Sequence, residues 1–365
     1  MTRAPILVAF VLAACGTPTP PGLSSGPGIT GVSETSASSG TGSDGSSTGP
    51  ADVSAGSSGG TGTSTGVLRD VGAATDFGSG QPEGCKGKVD LLFLISRETR
   101  MQYVQDQLLA SFPGFIQTID ERLEGFDVHI MAANPDGEWT GYACQSDKGC
   151  GMNWPNCFDG DETWDCVNSV QEWEKCDSKL GAGVTFNAGE GTPNRRCDLY
   201  DGNRYIVSGE PDLPGQFECI AAAGTWGPLP ATGDALIAAV SPELNKDGAC
   251  NAGFLREDAL LVVAIIDNAE DTKSISSAKS QYDAIIAAKK DPNAVVMLAI
   301  TGFPHESEPE DPNCGWDINN SNNYLALLEQ FHYHLRGDSC APSYVQFFDE
   351  AVGLIDEACG SLIPQ

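Results

Sequence analysis

Three short and almost uninterrupted apolar runs constrain the fold of this chain most strongly. They are residues 89–95 (VDLLFLI), 260–266 (LLVVAII) and 294–300 (AVVMLAI). Runs of this length, bounded by polar residues, predict β-strands that are covered on both faces. Strands of this kind belong to parallel sheets that carry helices on either side.

Segments with helical spacing of apolar residues separate these strands. The residues of 126–132 alternate in polarity and predict one further strand. The order of elements predicts an α/β fold, with a mainly parallel central sheet and helices on both faces. The predicted helices cover residues 101–123, 214–223, 234–241, 274–290, 324–334 and 344–359.

The first fifteen residues have the features of an export signal. Arg3 precedes an apolar run, residues 4–14, that is too short to cross a membrane. The run ends in Leu12-Ala13-Ala14-Cys15, which resembles the lipobox of bacterial lipoproteins. The resemblance implies cleavage before Cys15, lipid attachment to its thiol and anchoring by several acyl chains. The alternative is an ordinary secretory signal with a chance cysteine.

The residue after Cys15 bears on the destination of such a lipoprotein. Gly16 is not the Asp that usually retains lipoproteins at the inner membrane, so the resemblance favours the outer membrane and the cell surface. Residues 16–84 are dominated by Ser, Gly, Thr and Pro. This composition predicts a disordered tether, because it buries too little apolar surface to offset the entropy of ordering. The folded domain is therefore expected over residues 85–361.

The charge of the chain excludes two classes of partner. Twenty Lys and Arg residues stand against 50 Asp and Glu residues, a net charge of −30. Two of the basic and six of the acidic residues precede residue 85, so residues 85–365 carry a net charge of −26. This acidity excludes nucleic-acid binding and electrostatic docking on anionic lipid. Contact with a membrane is expected only through the lipid.

Cysteine usage points to an oxidising compartment. Thirteen cysteines are present, and all except Cys15 lie between Cys85 and Cys359. An even number in an exported segment, with no Cys-x-x-Cys pair, predicts up to six disulfides in preference to zinc sites. Residues 134–212 hold six of these cysteines and four of the six Trp residues. We interpret them as a disulfide-rich insertion at a strand end, in which the Trp side chains either pack or form an aromatic binding patch.

The phrase CNAGFLREDALLVVAIID, residues 250–267, together with the first strand, its long helix and the large loop, resembles a von Willebrand factor A domain. The likeness is greatest to the acidic, cysteine-rich A-type domains of myxobacterial lipoproteins. It covers about residues 85–361 and implies the same Rossmann-like α/β fold. In that family an Asp-x-Ser-x-Ser loop, a Thr and a late Asp hold a divalent metal, the metal-ion-dependent adhesion site.

The sequence departs from this metal-binding pattern. Ser96, Glu98 and Arg100 stand where the family has Asp, Ser and Ser, whereas Asp267 matches the late Asp. Because the charge of a guanidinium is permanent and repels a cation, we expect a vestigial site without bound metal. In one interpretation Arg100 takes the place of the metal and pairs with Asp267 or Glu98. In the other it points to solvent.

Two questions about this site remain open in the sequence. The middle Thr of the family pattern corresponds to either Thr225 or Thr232. The acidic segments 135–138 (PDGE) and 159–162 (DGDE), both in the insertion, are alternatives for a calcium site. Neither matches the Asp-x-Asp-x-Asp-Gly spacing of a calcium loop, and surface acidity is the favoured explanation of both segments.

The A-type resemblance also bears on disulfide pairing. The ends of that fold lie close together, which implies a pair between Cys85 and Cys359. Cys314 and Cys340 bound a loop and helix and form the second expected pair. The remaining connectivity stays open.

No catalytic motif points to an enzyme. Residues 85–361 contain no Gly-x-Ser-x-Gly elbow, phosphate loop or dinucleotide fingerprint. We therefore expect a non-catalytic binding or adhesion module at the cell surface, with an unknown partner near residues 96–100, Asp267 and the insertion. The alternatives are a secreted metal-dependent hydrolase that uses the acidic insertion, and a structural component of the envelope.

Overall fold

The structure is a computed structural model that describes much of the chain from Cys85 onward. The described residues are 85, 87–98, 100–122, 125–137, 174–187, 192–193, 195–225, 229–269, 271–302 and 322–361. All of them belong to a unit that spans Ala73–Gln365. The expected signal and lipid site (residues 1–15) and the tether (residues 16–84) lie outside the described residues.

The central sheet has six strands in the order β5-β2-β1-β6-β7-β8. All neighbouring strands are parallel, except that β5 pairs antiparallel with β2. Strands β3 and β4 form a separate two-stranded antiparallel sheet. The strands are β1 (Lys88–Ile95), β2 (Asp127–Ala133), β3 (Phe186–Asn187), β4 (Arg195–Arg196), β5 (Ile206–Val207), β6 (Leu260–Ile266), β7 (Val295–Thr301) and β8 (Tyr333–Asp338).

Helices connect the strands, and local sequence signals fix their ends. Ser277 caps the start of α5 (Ala278–Lys289), because its side chain accepts a hydrogen bond from the Ser280 amide, and Lys290 caps the end in the left-handed conformation (φ 64°). Asp212 caps α2 in the same way, through the Gly215 amide. The helices are α1 (Gln102–Arg122), α2 (Leu213–Ala221), α3 (Thr232–Ala239), α4 (Pro242–Asn245), α5 (Ala278–Lys289), α6 (Asn322–Leu328) and α7 (Val345–Ser361).

Two apolar cores lie on opposite faces of the sheet. Because successive side chains of a strand point to opposite faces, β6 contributes Leu260, Val262, Ala264 and Ile266 to one core and Leu261, Val263 and Ile265 to the other. Helices α1, α2 and α7 cover the first face, and α3, α5 and α6 cover the second. Burial on both faces explains why β6 reads as an uninterrupted apolar run.

The predicted fold class is confirmed at the level of an α/β protein with a mostly parallel sheet flanked by helices. The prediction of a helix over residues 324–334 is wrong in its second half. The helix ends at Leu328, and Tyr333 and His334 begin strand β8. As the last strand of the sheet, β8 is partly exposed and lacks the continuous apolar run that identified the central strands. The two-residue edge strand β5 was not predicted.

Disulfides fasten the chain at several points. Cys85, ahead of β1, is bonded to Cys359 in α7, with an S–S distance of 2.04 Å. Cys340 is disulfide-bonded as well, but Cys314 lies outside the described residues, so that pairing stays a prediction. Two further bonds hold the described part of the insertion, Cys176–Cys250 and Cys197–Cys219.

No helix in the described ranges is both long and apolar enough to cross a membrane.

Candidate functional site

The order of the strands defines where a ligand crevice is expected. From β1 the sheet continues to β2 on one side and to β6 on the other, so the direction of winding reverses between β1 and β6. Open α/β sheets bind ligands outside the carboxyl ends of the strands at this point. Ser96 follows β1 and Asp267 follows β6, and the Ser96 amide donates to the Ile266 carbonyl at 2.9 Å. The structure thus places both sequence-predicted residues at the switch point.

The Asp267 carboxylate is buried, with an exposed fraction of 0%. Among the residues that the structure describes, its hydrogen-bond donors are uncharged. The Ala269 amide donates to Oδ1 at 3.1 Å, and the Tyr324 hydroxyl donates to Oδ2 at 2.8 Å. The Ser96 hydroxyl is a third donor. The Thr232 hydroxyl interacts with that of Tyr324, but it is buried and forms no hydrogen bond of ordinary geometry with the described residues. We call Ser96, Thr232, Asp267 and Tyr324 the switch-point cluster.

The burial of Asp267 changes its acidity. Desolvation raises the pKa of Asp267 to about 7, and the nearby charge of Asp271 adds to this, whereas the three hydrogen bonds lower it. Burial, together with the charges of Asp267 and Asp271, raises the pKa of Tyr324 well above its ordinary value. The carboxyl group of Asp267, at the centre of the cluster, is therefore partly protonated near neutral pH.

Gln105 of α1 braces the loop that carries Ser96. Its Nε2 donates to the Ser96 carbonyl at 3.0 Å and to the Gly224 carbonyl at 2.9 Å, and its Oε1 accepts from the Gly224 amide at 3.0 Å. Thr225, the other candidate threonine, follows Gly224 and is buried. The structure thus places Thr232 in the switch-point cluster, whereas Thr225 lies next to the residue that Gln105 binds, Gly224.

The two remaining residues of the expected binding face lie closer to solvent. Glu98 is half-buried, and its amide donates to the Ser96 hydroxyl oxygen at 3.3 Å. Arg100 is exposed, and its carbonyl accepts a hydrogen bond from Nδ2 of Asn268 at 2.8 Å. The described donors to Asp267 are uncharged and Arg100 is exposed, so Arg100 is not paired with Asp267 within the described residues. The pairing of Arg100 with Glu98 and the solvent-facing interpretation both stay predictions.

A buried ion pair lies beside the cluster. Arg97 donates to both carboxylate oxygens of Asp136, with Nε–Oδ2 and Nη2–Oδ1 distances of 2.9 and 2.8 Å. The side chains are only 5% and 1% exposed. The pair ties the loop after β1 to the loop after β2. Arg97 thus engages the carboxylate of Asp136, one candidate ligand in segment 135–138, and the calcium hypothesis for that segment stays a prediction. Residues 159–162 lie outside the described part of the chain.

The donor set at the switch point does not fit a divalent cation. Such a cation prefers several charged or carbonyl oxygens, but the residue after β1 is a serine. The two carboxylates nearby are already engaged: Asp267 as described, and Asp271 through the Gly233 amide (2.7 Å) and the Ser274 amide (2.9 Å). Within the described ranges, no group of three or more His, Cys, Asp or Glu side chains is placed to hold a metal ion.

Sequence reasoning missed three residues of this region. Tyr324 lies 57 positions after Asp267, and no motif connects the two. Gln105 lies on a helix face that reads as ordinary amphipathic pattern. Asp271 had a weak signal, since it follows Asp267 closely in an acidic loop.

A second buried carboxylate lies at the opposite edge of the sheet. Asp90, near the start of β1, is also 0% exposed, but its partners are cationic. Arg256 donates to it from its amide at 2.7 Å and from Nε at 2.8 Å. The Nζ of Lys289 donates to the Arg256 carbonyl at 2.6 Å. Burial raises the pKa of Asp90 although Arg256 opposes the change, and burial lowers the pKa of Lys289.

No protein-family model matches the chain, and no curated protein is significantly similar to it in sequence.

Proposed function

We propose that the chain is an exported lipoprotein whose folded segment is a non-catalytic binding module that acts at the cell surface. The lipobox-like sequence and the tether support the export and anchoring part. The resemblance of residues 250–267 to A-type domains, together with the strand order around β1 and β6, supports an A-type, Rossmann-like binding domain.

The burial of the switch-point cluster carries the non-catalytic part of this proposal. A carboxyl with a pKa near 7 beside a serine would suit a general base and a nucleophile. Yet Ser96 and Asp267 are each 0% exposed. A substrate atom has to come within hydrogen-bonding distance of both groups, and their burial prevents this. The cluster instead holds the loops at this edge in fixed positions, as a binding surface requires.

Two alternatives have less support. A metal-dependent hydrolase that uses the acidic insertion loses one of its candidate ligands, because Asp136 is paired with buried Arg97. A purely structural envelope component needs no exposed recognition surface at the switch-point edge. Binding to isolated envelope material separates this alternative from a binding module.

The two ends of helix α1 offer a matched test of the binding edge. Arg100 precedes the helix at the switch-point edge, and Arg122 ends it at the opposite edge; both are exposed. Immobilised full-length protein should capture a component of envelope material, and Arg100→Glu should weaken the capture about tenfold, as expected for an interface charge. Arg122→Glu should leave it unchanged. Equal effects of the two substitutions, or no capture by the natural chain, would contradict the proposed function.

The lipid anchor has its own test. Cys15→Ser should release the protein from the membrane fraction, because the acyl chains supply the membrane affinity. Mass spectrometry of the natural protein should show an acylated N-terminus at Cys15. An unmodified N-terminus at another residue would support the ordinary secretory signal.

A further inference from the structure

The loop between β6 and α5 presents an isoleucine to solvent close to the switch-point edge. Ile275 is 96% exposed, whereas the other exposed large apolar side chains in the described ranges are 45–59% exposed. A single exposed apolar residue is ordinary on a protein surface. Its backbone and its surroundings distinguish Ile275 from such a residue.

Hydrogen bonds hold the backbone of Ile275 firmly. The Asp234 carboxylate accepts from the Ile275 amide at 3.0 Å and from the Ser276 amide at 3.1 Å. In return, the Asp234 amide donates to the Ser274 hydroxyl oxygen at 2.9 Å. Asp271 accepts from the amides of Gly233 and Ser274, so two carboxylates tie this loop to the start of α3. The exposed side chain is therefore held in a fixed position before any partner arrives.

An open groove of about 480 Å³ lies beside Ile275. Leu180, Ile237 and Leu244 line it together with Ile275. The wall that carries Leu180 rests directly on α3, because a Cβ at Gly181 would lie 2.6 Å from the Ala239 amide nitrogen. The groove is shallow and wide open to solvent, so apolar side chains of a partner protein can reach it directly.

The charges around the groove indicate the kind of partner. Asp234 and Glu243 line it, and Lys179 is the basic residue among the described lining residues. Residues 85–365 carry a net charge of −26, so the field of the domain attracts basic surfaces and repels acidic ones. A second copy of this chain carries the same acidic charge and is disfavoured as the occupant.

We propose that this groove docks a partner protein through an aliphatic or aromatic side chain that is flanked by Lys or Arg. The apolar side chain fills the groove against Ile275 and Leu244, and the basic neighbours face Asp234 and Glu243. The inference rests on the proposed binding function and names the surface and the partner chemistry.

Two synthetic peptides test the partner chemistry directly. Both carry a Leu-Phe-Leu core, one flanked by Arg and the other by Glu, and binding is followed by fluorescence anisotropy. The protein is the chain from residue 15 onward with Cys15→Ser, so that no lipid interferes. The Arg-flanked peptide should bind at least about tenfold more tightly than the Glu-flanked one, with an affinity that falls as salt is added.

Two exposed residues provide the matched substitutions. Ile275→Ser should weaken binding of the Arg-flanked peptide about tenfold, as expected for an interface anchor. Val345→Ser removes another exposed apolar side chain, distant in sequence, and should have no effect. Both substitutions are at the surface, so circular dichroism should show unchanged folding. The inference is overturned by absent binding of the Arg-flanked peptide, by equal binding of both peptides, or by equal effects of the two substitutions.

Two further outcomes separate this inference from the proposed function. Envelope capture that persists in Ile275→Ser would leave the binding function intact and remove the groove from it. Self-association of the natural chain that Ile275→Ser abolishes in sedimentation would assign the groove to a second copy and contradict the basic partner.

Discussion

The two edges of the central sheet each bury one carboxylate completely, but they surround it differently. At the amino edge, Asp90 lies against the guanidinium of Arg256. At the carboxyl edge, Asp267 lies against the hydroxyls of Tyr324 and Ser96 and one amide. Burial raises the pKa of both carboxyl groups.

The two carboxylates differ in whether their charge is fixed by a cationic partner. A buried charge with a cationic partner is a fixed ion pair, and Arg256 also bonds to the carbonyls of Val89 and Asp127, so it joins the starts of β1 and β2. A buried carboxyl that meets only neutral donors can lose its charge at a pH near neutrality. Asp267 lies at the edge where α/β sheets bind ligands, and in the proposed function its cluster holds the loops of that edge in fixed positions.

The largest expected effect comes from breaking the amino-edge pair. Arg256→Met keeps the length of the side chain but leaves Asp90 buried without its cation, so the free energy of unfolding should fall by about 3–5 kcal/mol. Lys88→Met is the control, since Lys88 and its partner Asp258 are each about one third exposed (34% and 37%) and the pair contributes about 0–1 kcal/mol. Similar losses in both variants, measured by denaturant unfolding, would show that Arg256 is not a structural partner of Asp90.

The Cys85–Cys359 disulfide ahead of β1 also stabilises the amino edge of the sheet. Replacing Cys85 and Cys359 by Ala opens a link across 274 positions and should cost about 2–5 kcal/mol. Replacing Cys197 and Cys219 opens a link across 22 positions, and by loop-closure entropy it should cost about 2 kcal/mol less. The unfolding temperatures of the two double variants give the comparison. A greater loss from the shorter loop would contradict it.

At the carboxyl edge, the loss of unfolding free energy expected from removing a hydrogen-bond donor to Asp267 is smaller and depends on pH. Tyr324→Phe removes one donor from Asp267 and should cost about 1–3 kcal/mol at a pH where the carboxylate is charged, and less where it is protonated. Tyr344→Phe removes an equally buried hydroxyl that donates to the neutral carbonyl of Ser339, so its cost should not change with pH. Parallel pH profiles of the two variants would mean that Tyr324 does not respond to the charge of Asp267.

Much of the fold could be predicted from the sequence, because strands buried on both faces leave an apolar run. Strand β6 has the predicted bounds, β1 begins one residue earlier than predicted, and β7 is shifted by one residue at both ends. Strand β8 was missed because an edge strand lacks that run, and its first residues continued an apparent helix. Asp90 was missed because a single polar residue inside an apolar strand carries no signal of its partner 166 positions away.

The candidate site was predicted only in part. Ser96 and Asp267 follow strands, so their meeting at one edge of the sheet follows from strand order. Tyr324 and Gln105 reach the site from helices, and only tertiary packing decides which helical side chain arrives there. The sequence did not predict where the Arg100 side chain points. A charged side chain at the start of a helix can reach either solvent or a neighbouring residue from nearly the same backbone conformation.

The pH dependence of Asp267 is the most direct measurement of the switch-point cluster. Because the pKa of Asp267 in the folded protein is about 7 and its ordinary value is 3.8, the folded protein holds an extra proton between those values. The free energy of unfolding should therefore fall as pH rises through this window, by roughly 4 kcal/mol from this group.

Asp267→Asn keeps the shape of the side chain and removes its titration. Relative to the natural chain, the variant should gain stability steadily from about pH 4 to about pH 8 in denaturant unfolding, because all other titrating groups are shared. Two results would contradict a cluster held by neutral donors. One is a constant difference between the two proteins over this range. The other is a rise in the unfolding temperature of the natural chain, but not of Asp267→Asn, on adding millimolar Mg²⁺ or Ca²⁺.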